Sequence, residues 1–128
     1  MRLLLDTHAF LWWLAGHRSL SAQARAVIDD ADAEVFVSAA SAWEISTKFH
    51  IGKLPEAEFV VADVLASIAG EGFRPLAVTV HHAQRAGALG GSHRDPFDRM
   101  LIAQALVDDL ALVSNEAIFD MYGVRRVW

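Results

Sequence analysis

The sequence predicts an α/β protein: a three-layer α/β/α sandwich around a central parallel sheet of four or five strands. Three observations carry this expectation. RLLL (2–5), EVFVS (34–38) and LALVS (110–114) are short and mostly apolar, as strands covered on both faces are. Helical segments separate them, which is the signature of strand–helix–strand units. The chain has 128 residues, 54% of them hydrophobic, which suits a single domain spanning residues 1–128.

The elements follow in order. RLLL is the first strand, and THAFLWWLAG (7–16) is a short helix ended by Gly16. Ser21 caps a second helix through Asp29 or Asp30, with Ala24, Val27, Ile28 and Ala31 on one face. EVFVS is a strand, and residues 41–54 form a helix closing at Gly52. Pro55 opens a helix running to about Ala69, and PLAVT (75–79) is a strand. Residues 81–89 are helical and GGSH (90–93) is a loop. Pro96 stands at the first turn of a helix through Val107, where proline is tolerated. LALVS is a strand, a helix runs into IFDMYG, and VRRVW (124–128) is a last strand.

Bulk chemistry narrows the function. The net charge of −5 argues against nucleic-acid binding through a broad basic face. A polyanion would have to be met by a local basic rim or by bound cations. The absence of cysteine excludes disulfides and thiolate zinc sites and fits a cytoplasmic protein. No apolar run approaches the roughly 20 residues of a membrane span, and MRLLLD lacks the long apolar stretch of a secretory signal.

Ligands of open parallel sheets bind beyond the carboxyl ends of the strands, and acidic residues stand at those positions. Asp6 directly follows the first strand, Glu44 lies on the helix after the second, and Glu116 follows LALVS and Asn115. Asp95 and Asp98 open the helix before LALVS, and join the others only if the GGSH loop brings them there. Two carboxylates about 4 Å apart repel by roughly 4 kcal/mol at an effective dielectric near 20. Protonation or a cation relieves such crowding, and oxygen-only ligands suit Mg²⁺ or Mn²⁺. The chemistry implied is metal-assisted hydrolysis.

Each acid also has a purely structural reading. Asp6 caps the helix beginning at Thr7. Glu44 and Lys48 stand four apart in the favourable order for a helix-surface pair. Asp95 with Asp98 resembles a capping box, and Glu116 is an acid in a helix first turn. The gathering of all of them at strand ends favours a site. Other motifs lead nowhere. HRD (93–95) lacks the asparagine of a kinase catalytic loop, where Met100 stands instead. The six histidines show no zinc spacing, and no phosphate-gripping glycine loop occurs.

Taken in order, LLLDTH, SAWEI, HRDPFDRMLIAQA and LVSNE resemble the PIN-domain ribonucleases, and among them the VapC toxins of bacterial toxin–antitoxin pairs. The likeness spans Leu3 to about Phe119 and implies the α/β/α sandwich reached independently above. It implies that Asp6, Glu44, Asp95 and Asp98 form the catalytic, Mg²⁺-binding set. Glu116 stands where the family often has aspartate, with ligation through water. Thr7, Ser114 and Asn115 support the carboxylates. Lys48, Arg94 and Arg99 are candidates for RNA-backbone contacts. The implied activity is cleavage of single-stranded RNA with Mg²⁺, or Mn²⁺ in its place. The implied partners are a VapB-like antitoxin and a second copy in a homodimer. The alternatives are an interaction module that keeps the fold, and a metal-dependent DNA nuclease or phosphoesterase.

Overall fold

The computed structural model describes residues 1–128. Its five strands are β1 (Arg2–Leu5), β2 (Glu34–Ser38), β3 (Arg74–Leu76), β4 (Ala111–Val113) and β5 (Arg126–Val127), all parallel in the order β3-β2-β1-β4-β5. The helices are α1 (Thr7–Ala15), α2 (Ala22–Asp29), α3 (Ala39–His50), α4 (Glu58–Val61), α5 (Val64–Gly70), α6 (Val80–Ala88) and α7 (Pro96–Asp108). The three-layer sandwich expected from the sequence is therefore the fold, with five strands.

β1 lies at the centre, and its side chains alternate between two cores. Leu3 and Leu5 face a layer that includes Phe10, Val37, Ile45 and Val60. Leu4 faces the opposite layer with Leu101, Ile102, Leu112 and Phe119. This period-two division of a uniformly apolar strand is why RLLL carries no polar alternation. The chain builds outward from β1 through β2 to β3, then crosses back to add β4 on the other side. The reversal leaves a crevice at the carboxyl ends of β1 and β4, where adjacent connections depart in opposite directions.

Local chemistry corrects several expected boundaries. The helix from Pro55 to about Ala69 is broken in two, after a 3₁₀ turn at Pro55–Ala57. Asp63 turns extended (φ −154°) and accepts a bond from Ala66 N–H at 2.9 Å, starting α5 afresh. The strand expected at 75–79 stops at Leu76. Thr79 turns instead to cap α6, exchanging bonds of 3.1 Å each way with His82. Pro75 costs no ladder bond beyond the sheet because β3 is an edge strand. α3 begins at Ala39, two residues early, because the Ser38 hydroxyl accepts from Ala40 N–H. It ends at His50 rather than Leu54. The segment containing IFDMYG is a 3₁₀ helix, Ala117–Tyr122. No helix is long and apolar enough to cross a membrane.

Candidate functional site

The crevice is built from the strand ends. Asp6 is the residue after β1, and its backbone N–H bonds to Val113 O of β4 at 3.1 Å. Its side chain caps α1, accepting from Ala9 N–H at 2.8 Å. Gly16 closes that helix at φ +61°, a conformation glycine adopts without a Cβ clash. The short helix is thus fixed at both ends, and Asp6 is fixed with it. Capping does not exclude Asp6 from the candidate site: the Ala9 N–H takes one carboxylate oxygen, and the Ser114 hydroxyl also bonds the group.

Asp6 is only 6% exposed, and its pKa is raised to about 6. Burial is the main cause. The Ser114 hydroxyl and Ala9 N–H oppose it, and the charges of Glu116 and Glu44 add to it. Ser114 is the residue after β4, fully buried, and its oxygen accepts from Glu116 N–H at 3.0 Å. It therefore links the ends of the two central strands.

Glu44 is 5% exposed on α3. Thr7 Oγ1 donates to it at 2.5 Å, and the Ser41 hydroxyl lies 3.1 Å from Thr7. The Lys48 ammonium pairs with its second oxygen. The i,i+4 pair that the spacing allows is thus present, and its acid is buried rather than on the surface. For Lys48, burial lowers the pKa, and its bond to Glu44 and the charges of Glu44, Asp95 and Asp98 more than offset that, leaving it raised.

The loop does bring the opening of α7 to the same end of the sheet. Asp95 is the N-cap of α7 and accepts from Asp98 N–H at 3.0 Å. Asp98 has its pKa raised to about 6. Burial leads, a bond from His93 opposes it, and the charges of Asp95, Glu116 and Glu44 add to it. His93 Nε2 lies 2.7 Å from Asp98 Oδ2. Glu116 is itself exposed, yet its charge is felt at both Asp6 and Asp98. Asn115 is exposed beside it.

Three features were not legible beforehand. Ser41 lies three residues before Glu44 on the same helical face, which is the signal that could have found it. His93, among six histidines without zinc spacing, carries no signal of its bond to Asp98. Arg99, expected as an RNA-backbone contact, has another occupation. Its guanidinium donates to the carbonyls of His93 (3.0 Å), Ala86 (3.2 Å), Gly90 (3.4 Å) and Leu89. A guanidinium spread over four main-chain carbonyls fastens the 89–93 loop and is no free cation. The loop's other fastening is at Gly91 (φ +80°), where a Cβ would stand 2.6 Å from Tyr122 Oη. Arg94 is exposed and makes no ion pair.

The sequence matches the PIN domain family over residues 3–124. The chain belongs to the PIN domain family. Among curated proteins none matches this sequence. Solved structures share the fold at low identity. VapBC2 of Rickettsia felis, bound to a promoter DNA fragment, aligns with a TM-score of 0.70 at 14% identity, covering 98% of this chain and 97% of that one. VapC20 of Mycobacterium tuberculosis, a sarcin–ricin-loop-cleaving toxin, aligns at 0.64 with 16% identity and 95% coverage of each chain. A toxin–antitoxin complex from Klebsiella pneumoniae aligns at 0.58 with 16% identity, covering 89% of this chain and 86% of that one.

The acids of this PIN domain suit a hard divalent cation in chemistry. The donors are all oxygens, and the charges of Glu44 and Glu116 add to the burial that raises the pKa of Asp6 and Asp98. No three acid or histidine side chains are arranged as a ready cage. Instead Lys48, Thr7 and His93 occupy carboxylate oxygens that a cation would contest. Mg²⁺ tolerates such a site, because it keeps several waters and needs only one or two direct carboxylates.

Proposed function

We propose that this PIN domain is a Mg²⁺-dependent endoribonuclease that cleaves single-stranded RNA in the cytoplasm, as the toxin of a toxin–antitoxin pair. One observation carries the reading. Asp6 and Asp98, far apart in the chain, are both held near pKa 6 by burial and by charges from the same two acids, Glu44 and Glu116. Such shared crowding is relieved by a cation. Family membership and the likeness to toxin folds support the rest.

Asp6 and Asp98 would hold the cation directly, with Glu44 and Asp95 beside them and Glu116 reaching it through water. When bound, Mg²⁺ or Mn²⁺ supplies charge for the phosphodiester and acidifies water. Ser114 and Ala9 N–H keep the Asp6 carboxylate oriented. Thr7 fixes one oxygen of Glu44. Lys48 brings a positive charge to the acidic wall, where a phosphate oxygen can accept from it. Arg94, exposed and unpaired, is the cation best able to grip the RNA backbone outside the crevice.

We propose further that the chain forms a homodimer and is silenced by a VapB-like antitoxin presenting a cation to the acids. Exposed Ile51, Phe59 and Leu65 supply apolar surface for such contacts. Labelled single-stranded RNA and DNA, incubated with Mg²⁺, with Mn²⁺ or with a chelator, test the enzyme. RNA cut only with the cation supports it. Preferential cutting of DNA replaces it with a DNA nuclease, and no cutting of either leaves an interaction module.

A further inference from the structure

An apolar groove of about 590 Å³ opens beside the acids, and of its lining the mechanism above uses only Arg94. Its walls include Trp43, Val78, Phe97 and Met100, with Arg94 and Arg99 among them. The groove and the acidic crevice are interleaved in sequence. Trp43 precedes Glu44, Arg94 precedes Asp95, and Phe97 lies between Asp95 and Asp98. They are also joined in space. Trp43 meets Phe97 edge to face at 4.9 Å, and Lys48, the partner of Glu44, stands 5.7 Å over the Phe97 ring.

We propose that this groove is a nucleobase subsite, in which Trp43 stacks on a base next to the phosphate held at the acids. The inference rests on the nuclease reading. Trp43 is 62% exposed, whereas Trp12, Trp13 and Trp128 are half-buried against other side chains. An aromatic face left open beside a phosphate site is how proteins hold single-stranded bases. Charge selects the same occupant. The lining holds two arginines and no acid, and Arg94 has no carboxylate partner. A second copy seated here would bury those cations against an identical acid-free wall, whereas a nucleotide brings a flat ring and a phosphate together. Arg99 is held by carbonyls, so Arg94 is the residue that meets the phosphate.

Fluorescence anisotropy with labelled single-stranded RNA in Ca²⁺, alongside cleavage in Mg²⁺, tests this for the wild type, Trp43→Ala, Trp43→Phe and Arg94→Ala. Trp43→Ala is expected to weaken RNA binding roughly ten- to a hundredfold, and Trp43→Phe to restore most of it. An RNA with abasic positions should bind the wild type and Trp43→Ala alike. Thermal melts check that the exposed substitutions leave the fold intact. Unchanged binding in Trp43→Ala, with RNA still cut by the wild type, overturns the subsite and leaves the nuclease standing. A wild type that neither binds nor cuts RNA overturns both. Light scattering that shows Trp43→Ala splitting a dimer assigns the groove to a second copy and also overturns the subsite.

Discussion

At the residue scale, the tension is between Asp6 and the fold it caps. Burial and like charges hold Asp6 and Asp98 near pKa 6, against 3.8 for a free aspartate. Between those values the folded chain binds more protons than the unfolded one. The contribution of the two acids is therefore favourable below about pH 4 and is lost as pH rises through about 6. For Asp6 the loss is of order 3 kcal/mol. Two predictions follow from that sign. Without divalent cations, urea denaturation should show the wild type losing stability from pH 4 to pH 6.5. Asp6→Asn, which keeps the N-cap, should flatten that dependence and be more stable than wild type at pH 8 by about 1–3 kcal/mol. The same variant should lose RNA cleavage at least about a hundredfold. A variant that gains stability while losing activity separates a site residue from a structural one. Were Asp6 only a cap, Asn would still gain stability, because burial is the main cause of the raised pKa, but would leave cleavage nearly unchanged.

At the scale of the element, α7 shows that capping and site-building are one act. Asp95 seats the helix and thereby sets Asp98 facing His93. Asp95→Ala should cost about 1 kcal/mol of stability, and Asp95→Asn only a few tenths, by chemical denaturation. If Asp95 acts chiefly by seating the helix, Asp95→Asn keeps most of the cleavage rate; a ligand role predicts that both variants lose it. Arg99 performs the matching task for the loop. Arg99→Ala should speed amide hydrogen exchange across residues 89–93, because four carbonyls lose their donor. Elements with a strong local signal were legible in the sequence: the capped α1, the proline-started α7 and the three apolar strands. What failed was local competition. Asp63 and Thr79 each offered the backbone a cap where hydrophobic pattern alone suggested continuity. The burial of Glu44 was also beyond reach, since it depends on α1 bringing Thr7 against α3.

Across the whole molecule, the strand order does the work that sequence spacing cannot. With β1 central and β4 beside it, residues 6, 44, 98 and 116 lie toward one end of the sheet, where the charges of Glu44 and Glu116 are felt at both Asp6 and Asp98. The convergence of the acids was expected from strand ends, but the position of Asp95 and Asp98 hung on the course of the 89–93 loop, which tertiary contacts of Arg99 and Tyr122 set. The two cores must hold this edge rigid. Leu4 and Phe119, both fully buried, lie in the layer under α7. Leu4→Ala should cost 2–5 kcal/mol, read from the shift of the urea midpoint at constant slope.

The central claim is that Asp6 and Asp98 share one divalent ion. Mn²⁺ titration at pH 7.5, followed by electron paramagnetic resonance, tests it in the wild type, Asp6→Asn and Asp98→Asn. A bound ion in the wild type, weakened to a similar degree by either substitution, is the predicted result. Mn²⁺ binding that is absent in the wild type, or that survives both substitutions, would contradict it.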